Sequence, residues 1–355
     1  MKIFKSLFKK KIRTVFLEGK QLDFPVEPGS TILESALRNG INFPHNCTVG
    51  TCGSCKCRLL EGKISAHSEF GYTLSSQEVS SGYILACQST PRQEKTIISV
   101  ELDETTPSNL SSFTGRIIEN KLLTHDIAKV TIKLSQPLKF IAGQYANIKA
   151  QSLARERNYS FASAPEDAGV SDVIFYIRKV DGGGFTERLF SGNMQNEILD
   201  LTGPHGNFHL RDSVSPMLCI AGGSGLAPIF SILKDAINNN VNRPCALLVG
   251  ARTQKDLYEL DVIKEISDKW NGDFLFLPVL SHEPKESTWD GARGLVTEFI
   301  LDAFPNIETE NAEAYMCGPP GMIDAGIATL TENGVQLSSI HYDKFTDQSH
   351  SAKMS

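Results

Sequence analysis

The middle of the chain, residues 113–212, alternates apolar and polar positions with a period of two. The segments AKVTIKL, QYANIKA, DVIFYIRKV and GNFHLRD show this alternation, and turns containing Gly, Pro and Asn separate them. Alternation of this kind predicts strands with one buried face. We therefore predict an antiparallel barrel for this part of the chain.

The pattern changes after residue 213, where apolar strands alternate with helical segments. MLCIAGG, CALLVGA, FLFLPVLS and AYMCGPP are predicted strands, and IFSILKDAINN, LDVIKEISDKW, VTEFILDAF and MIDAGIATLTENG are predicted helices. This order is typical of a parallel sheet covered on both faces. Residues 213–233 are uncharged over the length of a membrane span. Their glycines and Pro228 divide them into a strand, a turn and a helix start, so we predict no span.

The first part of the chain mixes strands with a helix. TVFLEG and QLDFPVE predict two strands, and TILESALRNGI predicts a helix in which Thr31 and Glu34 form a capping box and Gly40 ends the helix. KCRLLEG and KTIISVEL predict two further strands. We divide the chain into a basic amphipathic tail at 1–13, a first domain at 14–102, a linker at 103–112, a second domain at 113–212, a third domain at 213–345 and a C-terminal tail at 346–355.

Composition then limits the function classes. A net charge of −6, with no positive stripe outside the first 13 residues, argues against a nucleic-acid partner. Eight cysteines are too few for a disulfide scaffold in 355 residues, and no secretory start precedes them. We therefore predict a cytoplasmic protein.

Basic and apolar residues alternate at roughly helical spacing within the N-terminal tail. This pattern suits a helix lying on the anionic inner face of the membrane. The other interpretation is a frayed, soluble terminus. We favour the frayed terminus and keep a peripheral membrane contact as a hypothesis.

The cysteines carry the most specific signal. Cys47, Cys52 and Cys55 follow a C-x4-C-x2-C spacing, and Cys87 stands alone 32 residues later. This is the ligand pattern of a plant-type 2Fe-2S cluster. A structural zinc site is the alternative, but zinc favours two short C-x2-C pairs or Cys/His mixtures. We expect Cys57 to be a packed strand residue rather than a ligand, and the eight histidines form no cluster with ligand spacing.

Two motifs in the predicted barrel suit a flavin. In RNYS, Arg157 can neutralise a diphosphate, Tyr159 can stack on an isoalloxazine ring and Ser160 can hydrogen-bond to the flavin edge. In GGGFT, Gly182 and Gly183 permit close backbone approach, and Thr186 offers a hydroxyl at a helix start. Each motif alone is weak, but their order favours a flavin.

Two further motifs suit a nicotinamide nucleotide. AGGSGLAPI follows a predicted strand and opens a helix, although Gly223, Gly225 and Pro228 depart from the full G-x-G-x-x-G fingerprint. AYMCGPP places Cys317 and Gly318 at a strand end, the edge where open α/β sheets bind ligands. Cys317 is either a contact of the nicotinamide ring or another buried cysteine.

The order of these motifs resembles the single-chain reductase components of bacterial multicomponent oxygenases. CTVGTCGSC with Cys87, RNYS, GGGFT, GPHGNF, AGGSGLAP, YMCGPP and HYDKF carry the resemblance, from about residue 14 to Phe345. Within that family the chain is most similar to the xylene monooxygenase type. The resemblance implies a multidomain α+β and α/β fold: a β-grasp ferredoxin domain, a six-stranded antiparallel β-barrel for FAD, and a Rossmann-like parallel sheet for NAD.

The resemblance also implies roles for single residues. Those implied in hydride transfer are Tyr159, Ser160, Cys317 and Phe345. Those implied in binding FAD or NADH are Arg157, Tyr159, Ser160, Gly182, Gly183, Thr186, Gly223, Gly225, Pro228, Cys317 and Gly318. Ten residues follow Phe345, so its match to the late aromatic residue of shorter relatives is inexact.

The three cofactors have complementary electron-transfer chemistry. Nicotinamide gives up two electrons together as hydride, a cluster accepts one, and a flavin can mediate between them. We therefore predict a monomeric NADH-dependent reductase that supplies single electrons to an oxygenase or hydroxylase component. Positive charge at residues 252–255 would suit NADPH, but Asp256 and the resemblance favour NADH.

Two alternatives stay open. The same relay can serve a soluble phenol or methane-type hydroxylase, a ring-hydroxylating dioxygenase or a deoxysugar dehydrase. The chain can instead be a non-catalytic iron-sulfur or zinc binding module on a degenerate reductase scaffold.

Overall fold

A computed structural model describes residues 12–45, 50, 53–74, 76–102, 110–153, 156–194, 197–303 and 311–345. The chain forms two compact units, Met1–Leu110 and Ser111–Ser355. Residues 1–11 of the predicted N-terminal tail, most of the predicted linker and the C-terminal tail lie outside the described residues, as do Cys47 and Cys52; Arg13, predicted as the end of the tail, begins β1.

The first unit is a mixed sheet packed on a helix. Its elements are β1 (Arg13–Leu17), β2 (Asp23–Val26), α1 (Ile32–Arg38), β3 (Lys56–Glu61), β4 (Ile64–Ala66), α2 (Ser76–Ser80), β5 (Tyr83–Leu85), β6 (Ser89–Pro91) and β7 (Lys95–Ser99). The sheet order is β2-β1-β7-β3-β5, with β1 parallel to β7 and antiparallel to β2. The apolar face of α1 is buried in the unit's core, which gives the expected β-grasp domain.

Only half of the predicted capping box forms at the start of α1. The Thr31 hydroxyl accepts a hydrogen bond from the backbone N–H of Glu34 at 3.1 Å. The Glu34 carboxylate accepts a hydrogen bond from Arg38, one helical turn later. In a full capping box the Glu34 carboxylate would accept a hydrogen bond from the backbone N–H of Thr31. Here it pairs with Arg38 instead.

The second unit begins with an antiparallel barrel. Its elements are β8 (Ser111–Leu122), β9 (Ile127–Leu138), β10 (Tyr145–Ala150), β11 (Arg157–Ser160), β12 (Val170–Arg178), α3 (Gly184–Phe190) and β13 (Ile198–His205). The strand order is β11-β10-β13-β8-β9-β12, and a bridge between Phe161 and Phe175 joins the two outer strands. This confirms the six-stranded barrel.

Two sequence predictions for this region were wrong. GNFHLRD is not a strand, because β13 ends at His205 and Gly206 takes a positive φ of 93°. The segment instead runs to the following sheet, where the Arg211 N–H donates to the Tyr315 hydroxyl at 2.9 Å. Ser111 and Ser112, predicted as linker, begin β8.

A parallel sheet completes the unit. Its elements are β14 (Met217–Gly222), α4 (Leu226–Asn238), β15 (Cys245–Ala251), α5 (Leu260–Lys269), β16 (Phe274–Leu280), β17 (Ala292–Arg293), β18 (Glu313–Gly318), α6 (Pro320–Glu332) and β19 (Ile340–Lys344). The order β17-β16-β15-β14-β18-β19 places the topological switch point between β14 and β18. VTEFILDAF, predicted as one helix, forms two short 3₁₀ turns, Val296–Phe299 and Leu301–Ala303.

The barrel and the parallel sheet share a core. Tyr176 of the barrel and Phe208 of the crossing segment pack in one buried cluster with the apolar residues of α4. Among the described residues no helix is long and apolar enough to cross a membrane. The uncharged run at 213–233 is β14, a glycine turn and the first part of α4.

Candidate electron-transfer sites

Two of the four predicted cluster ligands lie side by side in the first unit. Cys55 precedes β3 and Cys87 lies in the 3₁₀ turn after β5; both are buried, and their Sγ atoms are 3.2 Å apart. This separation is far longer than a disulfide bond of about 2.05 Å. Two thiolates on one tetrahedral metal, with metal–sulfur bonds of about 2.3 Å, would lie about 3.8 Å apart. The two Sγ atoms could therefore bind the same iron after a small increase in their separation.

The backbone beside this pair fits a compact ligand loop. Gly50 has a φ of +86°, and a Cβ there would lie 2.6 Å from Cγ of Gln88. The Gly50 carbonyl accepts a hydrogen bond from the Thr73 hydroxyl at 2.6 Å. Glycine is required at this position by both conformation and space.

Cys57 is a packed strand residue, as predicted, and not a candidate ligand like Cys55. It is buried within β3, opposite Ile84 of β5. Burial, and secondarily the charge of nearby Cys55, raises the pKa of the Cys57 thiol well above its ordinary value. A thiol that stays protonated is a poor metal ligand.

RNYS forms β11, which has no strand ladder with β12. β11 pairs with β10 along its length, whereas the described hydrogen-bonded contacts with β12 follow the end of β11, in the Phe161–Phe175 bridge and in the hydrogen bond from the Ala162 N–H to the Ile174 carbonyl. The main chain from Arg157 to Ser160 therefore has one edge that forms no ladder among the described residues. A ligand lying along this edge would meet side chains from both faces of β11, which alternate along the strand.

Tyr159 packs against the GGGFT helix. Its ring centroid is 5.6 Å from that of Phe185 in α3. Burial raises the pKa of the Tyr159 phenol, and the nearby charge of Arg157 opposes that shift only partly. The phenol thus stays protonated. Ser160 is buried on the other face of β11.

The GGGFT turn is built around Thr186. Its buried hydroxyl accepts from the Val180 N–H at 3.1 Å and donates to the Val180 carbonyl, also at 3.1 Å. A Cβ on Gly183 would lie 2.6 Å from that hydroxyl oxygen, whereas one on Gly182 would meet nothing within 4 Å. In this structure Thr186 closes the turn, and Gly182 leaves open space for a ligand.

The nicotinamide motifs meet at the switch point of the parallel sheet. A Cβ on Gly225 would lie 2.1 Å from the Cys317 carbonyl oxygen, and one on Gly222 would lie 2.8 Å from Sδ of Met322. The turns that follow β14 and β18 therefore touch through their backbones. Pro228 lies buried in the first turn of α4, where its missing N–H costs no helical hydrogen bond.

Cys317 and Phe345 pack in the same hydrophobic cluster. Cys317 is the last residue but one of β18, opposite Asp343 of β19, and its side chain is fully buried. Burial, then the charge of Asp343, raises the pKa of the Cys317 thiol well above its ordinary value. The Phe345 N–H donates to the Gly318 carbonyl at 2.8 Å, which holds this aromatic residue beside the CGPP turn.

Sequence reasoning missed the residues that connect the barrel to this junction. Tyr258 donates from its hydroxyl to the Gly223 carbonyl at 2.8 Å, and its ring meets Tyr176 of β12 edge-on at 5.5 Å. The Ser231 hydroxyl of α4 donates to the Ser163 carbonyl at 2.7 Å. These contacts join residues that are 35 to 82 positions apart in the sequence, so no local sequence pattern predicts them.

Three domain families match the chain in the order of these sites. The 2Fe-2S iron-sulfur cluster binding domain matches residues 15–92, the oxidoreductase FAD-binding domain residues 114–210, and the oxidoreductase NAD-binding domain residues 219–326. The chain is thus an oxidoreductase that uses a 2Fe-2S cluster, FAD and a nicotinamide nucleotide.

Curated relatives share this whole arrangement. The chain is 38% identical to the xylene/toluene monooxygenase electron transfer component of Pseudomonas putida over 334 residues, covering 94% of this chain and 93% of the relative. The chain belongs to the family of oxygenase reductase components. This reductase is also 34% identical to the reductase subunit of an aromatic O-demethylase from Amycolatopsis, over 94% of this chain and 99% of the relative.

A solved structure supports the same assignment. The reductase matches the crystal structure of an Amycolatopsis cytochrome P450 reductase with a TM-score of 0.82 and 32% identity, over 94% of this chain and 99% of that one. Barrel, parallel sheet and ferredoxin unit are all included in that coverage. The sequence predictions of family, fold class, enzyme class and cofactors are therefore confirmed.

Proposed function

We propose that the reductase oxidises NADH and passes the electrons through FAD and the 2Fe-2S cluster, one at a time, to the hydroxylase of a xylene-type monooxygenase. The observation that carries this proposal is the presence, in one chain, of a paired-cysteine site, a barrel edge without a strand ladder and a glycine junction in the order of the three matched families. The 38% identity to the xylene/toluene monooxygenase component supports the acceptor class.

The residues suit this division of labour. Cys55 and Cys87 would hold iron, together with Cys47 and Cys52. Arg157, Tyr159 and Ser160 would line FAD along the edge of β11 that forms no ladder, and the turn at 182–186 would approach its diphosphate. When bound, FAD supplies the chemistry that accepts a hydride and returns electrons singly.

The nicotinamide nucleotide would lie on the glycine junction. Gly225 and Gly318 let the two turns that form this junction pack backbone to backbone, since a Cβ on either would meet backbone atoms of the facing turn, and Pro228 lies in the first turn of the helix that faces the nucleotide. Cys317 would contact the nicotinamide side as a neutral thiol, and Phe345 would pack near the flavin. These roles need no general acid or base, because a hydride carries its own electrons.

We propose NADH rather than NADPH as the donor because of Glu283. This carboxylate accepts hydrogen bonds from the Gln254 N–H at 2.9 Å and from the Gln254 amide at 2.7 Å, at the carboxyl edge of β15 and β16. These bonds hold the pKa of Glu283 below its usual value. An anion at this edge favours a ribose hydroxyl and repels a 2′-phosphate. The guanidinium of Arg293, a nearby cation, donates hydrogen bonds to the backbone carbonyls of Glu283 and Pro284.

We further propose a cytoplasmic monomer with the domain limits predicted above, except that the first domain begins at Arg13, with β1, and the linker ends at Leu110, before β8. The break between the two compact units, after Leu110, falls at the end of this linker and supports that limit. The basic tail is proposed as a free terminus, with peripheral membrane contact as the competing hypothesis. Deleting residues 2–12 leaves sedimentation with anionic vesicles unchanged if the terminus is free and reduces it if the tail binds membranes.

An anaerobic titration tests the relay directly. A chain holding one FAD and one 2Fe-2S cluster takes up three electrons, so we expect full bleaching of both chromophores at about 1.5 NADH per chain. Bleaching at one equivalent with an unchanged cluster spectrum would contradict the relay. A colourless protein containing zinc would identify it as a non-catalytic module.

A second acceptor class is favoured by one observation. The 34% identical relative is the reductase subunit of an aromatic O-demethylase, and the structural match is a cytochrome P450 reductase. Reconstitution with a xylene-type hydroxylase and with a cytochrome P450 decides between them. Turnover with the P450 alone would replace the proposed acceptor and leave the relay intact.

A further inference from the structure

The glycine turn after β14 is held from outside its own sheet. Gly223 has a positive φ of 57°, and its carbonyl accepts the 2.8 Å hydrogen bond from the Tyr258 hydroxyl. Tyr258 is buried and precedes α5, on a different βα connection of the sheet. A carbonyl fixed in this way limits the rotation of the peptide that follows it.

The residue after Tyr258 is held by the barrel. The Glu259 carboxylate accepts a hydrogen bond from the Tyr176 hydroxyl at 3.3 Å and lies 3.0 Å from the Lys129 ammonium. Tyr176 belongs to β12 and Lys129 to β9, two adjacent strands of the barrel. The ring of Tyr176 also meets that of Tyr258 at 89°.

Glu259 adopts an unusual backbone conformation at this point. Its φ of +53° lies in the left-handed region, one of two such values found for residues other than glycine among those described. A side chain with a Cβ adopts this conformation when its surroundings enforce it. Here the enforcing contacts are those to Tyr176 and Lys129.

We propose that Tyr258 and Glu259 form a latch that sets the glycine turn at 223–225 relative to the barrel, and that both are positioning residues for hydride transfer. The inference rests on the proposed function, because that turn is where the nicotinamide nucleotide is proposed to lie. The chain of contacts runs from β12 and β9, through Glu259 and Tyr258, to the Gly223 carbonyl. Reacting groups carried by barrel and sheet are aligned only if the two are fixed to each other.

The test compares Tyr258→Phe, Tyr176→Phe and the double variant in the chain with its cofactors. We expect Tyr258→Phe to lower the limiting rate of flavin reduction by NADH about fivefold in stopped flow, while the apparent Kd for NADH changes less than twofold. We expect Tyr176→Phe to act in the same direction more weakly. The double variant is expected to lose less than the product of the two single effects, because both act through one latch.

A second readout is independent of turnover. We expect amide hydrogen exchange at residues 223–226 to be faster in Tyr258→Phe than in the unaltered chain. Tyr315→Phe is the matched control, since Tyr315 is another buried tyrosine of the matched NAD-binding domain and its hydroxyl accepts a backbone N–H at 2.9 Å. It is expected to lower the melting temperature and to leave both readouts unchanged.

Two results would overturn the latch. One is a Tyr258→Phe variant with a limiting rate and exchange within twofold of the unaltered chain. The other is an equal loss of limiting rate in Tyr315→Phe, which would show a general effect of stability. Failure of the proposed function looks different, because NADH would then not reduce the unaltered chain, while the exchange experiment would still report on the latch.

Discussion

Gly225 and Gly321 differ in the space that each would leave for a methyl side chain. At Gly225 a Cβ would lie 2.1 Å from the Cys317 carbonyl oxygen, a backbone atom that cannot move alone. At Gly321, in the first turn of α6, a Cβ would meet nothing within 4 Å. Gly225 of the AGGSGLAP motif is therefore required because the turns after β14 and β18 are in contact there. The sequence pattern does not reveal this reason.

Gly225→Ala should separate the two turns at the switch point. We expect the free energy of unfolding to fall by about 1–3 kcal/mol from overpacking, and flavin reduction by NADH to slow at least tenfold. Gly321→Ala should keep the rate and be neutral or stabilising, because alanine is the better helix former. Thermal melts and stopped-flow reduction measure both effects. Equal behaviour of the two variants would refute this reading of Gly225.

Glu283 offers a test of donor choice. Glu283→Gln removes the negative charge beside Gln254, so we expect kcat/KM for NADPH to rise at least fivefold relative to that for NADH. Glu286→Gln, a change of the same kind three residues further along the loop, should leave the ratio unaltered. A preference of the unaltered chain for NADPH would overturn the assignment.

At the scale of elements, a buried ion pair ties together the amino edge of the parallel sheet. Glu313 begins β18; its carboxylate lies 2.8 Å from the Arg243 guanidinium before β15 and 3.2 Å from Nε2 of His341 in β19. Burial by itself raises the pKa of Glu313, but hydrogen bonds from His341 and Arg243 outweigh it and lower the pKa from 4.5 to about 2. Glu313 thus joins β18 to β19 and to the segment that precedes β15.

This pKa has a consequence for acid stability. A carboxyl group with a depressed pKa contributes its full stabilisation above its unfolded value, here 4.5, and loses it as the pH falls toward about 2. The shift corresponds to about 3 kcal/mol. We expect Glu313→Gln to lose about that much at pH 7 in urea unfolding, with the difference from the unaltered chain narrowing below pH 4.5.

Glu265→Gln is the control for that experiment, since Glu265 is an exposed partner of Lys269 in α5. We expect no measurable change there, because exposed pairs contribute little. A difference between Glu313→Gln and the unaltered chain that stays constant from pH 7 to pH 3 would show that the Glu313 charge is not what stabilises the edge.

Most elements could be predicted because their signals are local. Cysteine spacing, apolar strands and helix periodicity each follow from contacts within a few residues. GNFHLRD failed because its burial comes from Phe208 packing into the core shared with the sheet, not from strand pairing. Tyr258 could not be found, since its partners Gly223 and Tyr176 are distant in sequence.

At the scale of the molecule, the three matched domains form one covalent relay. Nicotinamide releases electrons in pairs and a 2Fe-2S cluster accepts them singly, so the flavin domain has to stand between the other two in the chemistry. Joining the first unit to the second in one chain replaces a bimolecular encounter with an intramolecular one. The first unit is then the exit for single electrons.

The most direct measurement of this relay is rapid mixing of Cys87→Ser with NADH and cytochrome c. We predict flavin reduction at the unaltered rate and cytochrome c reduction slowed at least tenfold, because the proposed cluster ligand beside Cys55 is lost. Cys57→Ala, which changes the buried strand cysteine nearby, should keep both rates. Full-speed cytochrome c reduction by Cys87→Ser would contradict the account.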